Sequence, residues 1–152
     1  MSIRVLLADG SDVMRHAIVR VLTEEPLIDL VGEATCFAET LQLTAAWKPD
    51  VLLLDPHMSD EREYPPEMVK SQLLLNTTCI LAISFWNDAD AGELAETFGA
   101  TALLDKTKLY SELIPAIRQF CKKVAIPRIT KPFSTRSKQP ASPVLEARLD
   151  AA

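Results

Sequence analysis

Five short apolar runs recur along the chain, at residues 3–8, 28–31, 51–54, 79–83 and 101–104. A strand with one wet face alternates polar and apolar residues, whereas a strand covered on both faces is apolar throughout, so these runs predict buried parallel strands. Between them, apolar residues fall three or four apart, as in Met14, Ile18, Val21 and Leu22, then Ala38, Leu41 and Ala45, then Leu94, Ala95 and Phe98. That spacing predicts helices. Asn87 or Asp88 is placed to cap the helix that Gly99 closes, and Ser111 to cap the last one, whose stripe is Leu113, Ile114, Ile117 and Phe120. Pro115 would then fall in that helix's first turn, where most N–H groups lack a partner anyway. Tyr64-Pro65-Pro66 breaks the chain ahead of a helix expected from about Glu67, leaving a long loop over residues 58–66.

Strands alternating with helices give an α/β fold, and right-handed crossovers make it a flavodoxin-like (βα)5 doubly wound parallel sheet of order 2-1-3-4-5. Ligands of such sheets sit beyond the carboxyl ends of the strands, where the strand order reverses between the first and third. Asp9 and Asp55 occupy those two ends. Topology thus predicts that two acids far apart in sequence share one pocket.

Composition narrows the class. The chain has 152 residues, 48% hydrophobic and 24% charged, in the range of ordinary globular proteins. No apolar stretch reaches the ~18–20 residues of a membrane helix, and the first run is too short for a signal peptide, so a cytoplasmic location is expected. Cys36, Cys79 and Cys121 form no CxxC pair, so they read as buried thiols rather than a disulfide framework. Up to residue 121 there are 9 basic residues against 19 acidic ones, and from 122 onward 7 against 2. An acidic body disfavours DNA binding, leaving any such contact to the basic end. The expected division is a domain over residues 1–124 and a flexible, proline-containing tail over 125–152, where Pro127, Pro132, Pro140 and Pro143 lie among Ser, Thr, Lys and Arg.

Four residues sit at or just beyond successive predicted strand ends: Asp9, Asp55, Ser84 and Lys106. With Val-Leu-Leu-Ala-Asp, Met14-Arg15, Asp-Val-Leu-Leu-Leu-Asp-Pro-His-Met and Phe-Gly-Ala-Thr-Ala-Leu-Leu-Asp-Lys, residues 3 to 121 resemble the response-regulator receiver family, chemotaxis regulators included. The resemblance implies that Asp55 is the phosphoacceptor. It implies Mg²⁺ held by Asp9, Asp55 and the backbone carbonyl of His57, and phosphoryl contacts from Lys106 and Ser84. A carboxylate can attack a phosphoryl group once cations screen its charge, which is why oxygen ligands and a lysine belong together here. The implied partners are a sensor histidine kinase or phosphotransfer protein and an unidentified downstream protein, with self-association into a homodimer left open.

Several positions depart from that family. Gly10 stands where a second acid is usual, so the Mg²⁺ site is expected to be weak; Asp12, two residues on, reads as a helix cap instead. Phe85 replaces a small residue beside the pocket and should restrict water. Leu103 takes the switch position usually held by an aromatic ring, which shifts the expected partner surface to Trp86, Tyr110 and the last helix. Two functions follow. In the first, Asp55 accepts a phosphoryl group and the changed surface controls partner binding. In the second, Gly10 and Phe85 mark a receiver-like interaction module that needs no phosphate. An enzyme beyond self-phosphorylation and self-dephosphorylation at Asp55 is not expected, since no GxGxxG, P-loop or GxSxG occurs.

Overall fold

The computed structural model describes residues 1–77 and 79–121. The expected tail, and the last three residues of the expected domain, lie outside the described residues. Five strands form one parallel sheet: β1 (Ile3–Ala8), β2 (Ile28–Ala34), β3 (Val51–Leu54), β4 (Cys79–Ser84) and β5 (Ala102–Asp105). They are ordered β2-β1-β3-β4-β5, as the alternation predicts. Among the described residues five α-helices connect and follow them: α1 (Asp12–Thr23), α2 (Phe37–Trp47), α3 (Pro66–Leu73), α4 (Ala89–Thr97) and α5 (Leu109–Phe120). β1, β3 and β4 are almost wholly buried, which is why their sequences are uninterrupted by polar residues. Among the described residues no helix is long and apolar enough to cross a membrane.

Register fixes the site. Ala8 pairs with Leu54, and Leu54 with Ala82, so β1, β3 and β4 end side by side. The Asp55 amide donates to the Ala8 carbonyl at 2.9 Å, and the Asp9 amide to that of Ala34 at 3.0 Å, extending the ladder one residue beyond each strand. The core on one side of the sheet gathers Leu6, Leu52, Leu54, Ile80, Val69 and Leu73 around Phe37, whose ring stacks on Phe98 at 5.4 Å between centroids.

Four expectations need correction. Helix α2 is rotated from its predicted stripe: Ala38 and Ala45 are exposed, and Phe37, Thr40 and Thr44 face inward. The inward threonines disguise that face as polar, although the Thr40 hydroxyl satisfies itself by donating to the Cys36 carbonyl at 2.7 Å. Asp12 does not cap α1. Ser11 does, its hydroxyl accepting from the Met14 amide at 3.2 Å, while Asp12 occupies the helix's first position. Nor does Ser111 cap α5, because a 3-10 turn over Lys106–Lys108 leads the chain straight into a helix that begins at Leu109. Ser111 lies inside it and donates from its hydroxyl to the Lys108 carbonyl. Pro115 is consequently in the helix interior, where it removes one N–H from the ladder. By contrast Asp88 caps α4, accepting from the Ala91 amide at 2.9 Å, and Gly99 follows it at φ +87°, a backbone state that suits glycine.

Pro115 is solvent-exposed, so its replacement costs no packing. The Pro115→Ala variant is expected to be more stable to urea by about 1–3 kcal/mol, from the restored ladder bond and better helix propensity. An unchanged or lower midpoint would show that the ring's fit to the last helix outweighs its backbone defect.

Candidate functional site

All four strand-end candidates converge. Asp9 is fully buried, and Ser84, Asp55 and Lys106 are nearly so. The Lys106 ammonium lies between the two acids, 2.7 Å from Asp9 Oδ2 and 3.1 Å from Asp55 Oδ2. Its bond to Asp55 is a hydrogen bond. Its contact with Asp9 is an ion pair without hydrogen-bond geometry, leaving Asp9 Oδ2 a buried oxygen with no formal donor. The other carboxylate oxygens are held by backbone: the Ser11 amide donates to Asp9 Oδ1 at 2.8 Å, and the His57 amide to Asp55 Oδ1 at 2.9 Å. Both acids are thus aimed inward by the turns that follow their strands.

Ser84 ends β4 with its hydroxyl accepting from the Trp86 amide at 3.0 Å, so its proton remains free to donate elsewhere. Phe85 is half exposed, and its ring centroid lies 5.2 Å from the Lys106 ammonium, covering it from outside. Trp86 meets the His57 ring edge-on at 5.4 Å, and His57 Nδ1 lies 3.3 Å from Glu61 Oε1. Asp55, His57, Ser84, Phe85, Trp86 and Lys106, with Gly10, Ser11, Thr35 and Ser59, line a cavity of about 400 Å³. Trp86 walls this cavity, whereas Tyr110, 85% exposed, borders a separate groove between α1 and the start of α5 that shares only Lys106 with it. Leu103 sits on β5 opposite Ala82, half-buried.

Burial pushes the Asp55 carboxyl above its ordinary value, and the neighbouring Asp9 charge adds to this; the His57 amide and the Lys106 charge oppose it. Desolvation is the largest influence, and the repulsion from Asp9 offsets part of what the ammonium contributes.

Sequence reasoning left three residues without a role. The Arg15 guanidinium donates to the Asp9 carbonyl at 2.8 Å, pairs with Asp12 and lies 3.5 Å from Glu33 on β2, clamping the β1–α1 turn. Asp12, with its side chain 81% exposed, pairs with Arg15 at the surface. Glu61 is beside His57, as described. Asp60 accepts from the first two amides of α2, Phe37 at 2.8 Å and Ala38 at 3.0 Å. The first had a signal in the sequence, a motif arginine one turn beyond the strand-end acid. The Asp60 bonds join segments more than 20 residues apart and had none.

The divalent cation implied by the sequence fits the donor chemistry here in kind: carboxylate oxygens, with a buried Asp9 oxygen lacking a hydrogen bond, suit a hard ion. The set is short, however, for among the described residues no three His, Cys, Asp or Glu side chains are grouped to hold a metal. Gly10 itself is not demanded by the backbone. A Cβ there would lie 3.4 Å from the Thr35 carbonyl oxygen, ordinary contact, and its φ is not positive.

A parallel sheet of order 2-1-3-4-5 with two acids, a hydroxyl and a lysine at its carboxyl edge defines a receiver-type signalling module. The chain is 28% identical over 142 residues to the response regulator GacA of Pseudomonas aeruginosa, covering 91% of this chain and 65% of that protein. It is 30% identical over 152 residues to a probable transcriptional regulatory protein, NarL, of Mycobacterium tuberculosis, covering 96% and 69%. Among solved structures, the signal receiver domain of that NarL superposes with a TM-score of 0.62 at 26% identity, over 77% of this chain and 97% of the other. No family model matches. The chain belongs to the response-regulator receiver family.

The raised carboxyl of Asp55 makes a signed prediction. A folded state that holds the proton more tightly loses stability as pH rises from the ordinary value near 3.8 through the higher folded value. The Asp55→Asn variant escapes this loss while Lys106 keeps Asp9 as partner. It should melt above the wild type at pH 7, by about 1 kcal/mol, and the gap should close towards pH 4. A gap independent of pH would show that the Asp55 charge is fully compensated.

Proposed function

We propose that the chain acts in a phosphorelay, with Asp55 accepting a phosphoryl group from the phosphohistidine of a sensor kinase or phosphotransfer protein. In that transfer the phosphorus–nitrogen bond breaks, a phosphorus–oxygen bond forms to an Asp55 oxygen, and the imidazole leaves. The observation that carries this reading is the ammonium of Lys106 held between Asp9 and Asp55 at the mouth of the sheet. It screens the nucleophile against an anionic donor, and it can remain bonded to a phosphoryl oxygen afterwards. The Ser84 hydroxyl, buried and with its proton uncommitted, supplies a donor to another of those oxygens. Mg²⁺, which supplies further charge screening when bound, would be held by Asp9, Asp55 and the His57 carbonyl. Gly10 withholds one ligand from it, so its binding is weak. The changed surface around the pocket would then control binding of a downstream protein.

Phe85 bears on lifetime. Hydrolysis of an aspartyl phosphate needs a water at phosphorus, and a ring lying over Lys106 narrows that approach. Replacing Phe85 with Ala should therefore shorten the half-life of phospho-Asp55 several-fold.

The reading is tested by exposure to acetyl phosphate followed by mass spectrometry, with Asp55→Asn as control. An adduct confined to Asp55 is expected, and its absence under all Mg²⁺ concentrations would leave only a phosphate-independent interaction module. The Gly10→Asp variant should raise Mg²⁺ affinity about tenfold, read from Trp86 fluorescence, and speed labelling in parallel. Adding a third acid should also lower its metal-free melting temperature, and Mg²⁺ should recover that loss.

A further inference from the structure

We infer that Asp60 ties the phosphoacceptor loop to α2, so that the first turn of α2 is the surface element that responds when the Asp55 pocket is occupied. This rests on the functional reading above for the occupant, though not for the tie itself.

A helix leaves its first N–H groups without intrahelical partners, and a side chain just ahead of it usually satisfies one of them. In α2 the residue in that place is Cys36, which makes no capping bond. The cap comes instead from the loop between β3 and α3. Asp60 Oδ1 accepts from the Phe37 amide and Oδ2 from the Ala38 amide, so one carboxylate closes two orphan donors. The charge also suits the positive end of the helix dipole. Glu39 reaches back to the Thr35 amide and hydroxyl at 2.7 and 2.8 Å, leaving Asp60 as the link from this turn to another segment.

That loop begins at the phosphoacceptor. The His57 amide holds Asp55 Oδ1, Met58 is buried, and the Glu61 amide donates to the Met58 carbonyl at 3.0 Å. Next, the Glu63 amide donates to the Asp60 carbonyl at 3.0 Å. Turn bonds thus hold the Met58 and Asp60 carbonyls, with Ser59 exposed between them, and a group bonded to Asp55 lies beside the His57 amide bond, at the residue where the loop starts. On the far side of the tie, Phe37 is fully buried, stacked on Phe98 and 6.3 Å from Tyr64. A shift of this turn cannot be absorbed at the surface; it repacks a core ring against the end of α4 and the chain leading into α3.

The test is amide hydrogen exchange on the full chain, with and without beryllofluoride and Mg²⁺, in wild type and Asp60→Ala. Without beryllofluoride, Asp60→Ala should speed exchange at Phe37 and Ala38 about tenfold while leaving Leu52, Leu53 and Leu54 in β3 unchanged. With it, wild type should change exchange over residues 35–41, and Asp60→Ala should lose that change while still binding beryllofluoride by ¹⁹F NMR. Asp60→Asn, which keeps an acceptor oxygen, should retain part of it. Unaltered exchange at Phe37 and Ala38 in Asp60→Ala would overturn the tie. Beryllofluoride bound with residues 35–41 unmoved would overturn the coupling, whereas no bound beryllofluoride at any Mg²⁺ concentration would overturn the functional reading and the coupling with it.

Discussion

One ammonium shared by two buried carboxylates is the constraint around which the rest of this domain is arranged. Asp9 and Asp55 are buried at the ends of adjacent strands, and charges buried so close together are tolerated only when paired and hydrogen-bonded. Lys106 supplies the pairing, 51 residues from Asp55 in sequence, and its own side chain is only 5% exposed. For all three to meet, β1 and β3 must end in register and β5 must deliver its lysine across β4. The strand order achieves this directly. Backbone amides hold the outer oxygens, so neither acid has freedom to turn away.

The same arrangement explains why Gly10 matters. Two acids and one ammonium leave the pocket with one formal negative charge, where a third acid would leave two. The metal-free pocket is therefore closer to electrical balance, and on the proposed reading a divalent cation would have less to gain from entering it. Gly10 is not there for conformational reasons, since its φ is not positive and a Cβ would meet the Thr35 carbonyl oxygen at an ordinary contact distance. Asp12, in the next turn, is exposed and paired with Arg15. Around this pocket the aromatic residues Phe85 and Trp86 close over the side that a smaller residue 85 would leave open.

The sheet and the four convergent residues were legible in the sequence because each depends on signals that are local or periodic. Uninterrupted apolar runs mark doubly covered strands, and topology then forces their ends together. What escaped was whatever depends on distant segments or on disguise. Thr40 and Thr44 read as outward residues yet face the core, turning α2 by about one position. Ser111 has the chemistry of a cap, but the 3-10 turn at Lys106–Lys108 starts α5 earlier and draws Pro115 into its interior. The Asp60 cap on α2 crosses two elements and has no sequence spacing by which to find it. That Trp86 and Tyr110 border different hollows likewise had no signal in the sequence.

These gaps bear on how a pocket of this kind can reach the surface. A signal carried by an aromatic ring on β5 is closed to a chain with Leu103 there, half-buried opposite Ala82. The turn after β1 is clamped by Arg15 to β2, which leaves it rigid. After β4, the Ser84 hydroxyl is engaged by the Trp86 amide and is close to the pocket, so that turn can sense an occupant but ends within four residues at the Asp88 cap. The loop after β3 is different: it starts at Asp55, spans residues 55–65, and ties by a single carboxylate to a helix outside its own βα unit. Coupling needs an element with two discrete arrangements, and packed rings supply such discreteness better than solvated turns do. Phe37, locked against Phe98 below that tie, is where a displacement of the loop has to be accepted or refused by the core.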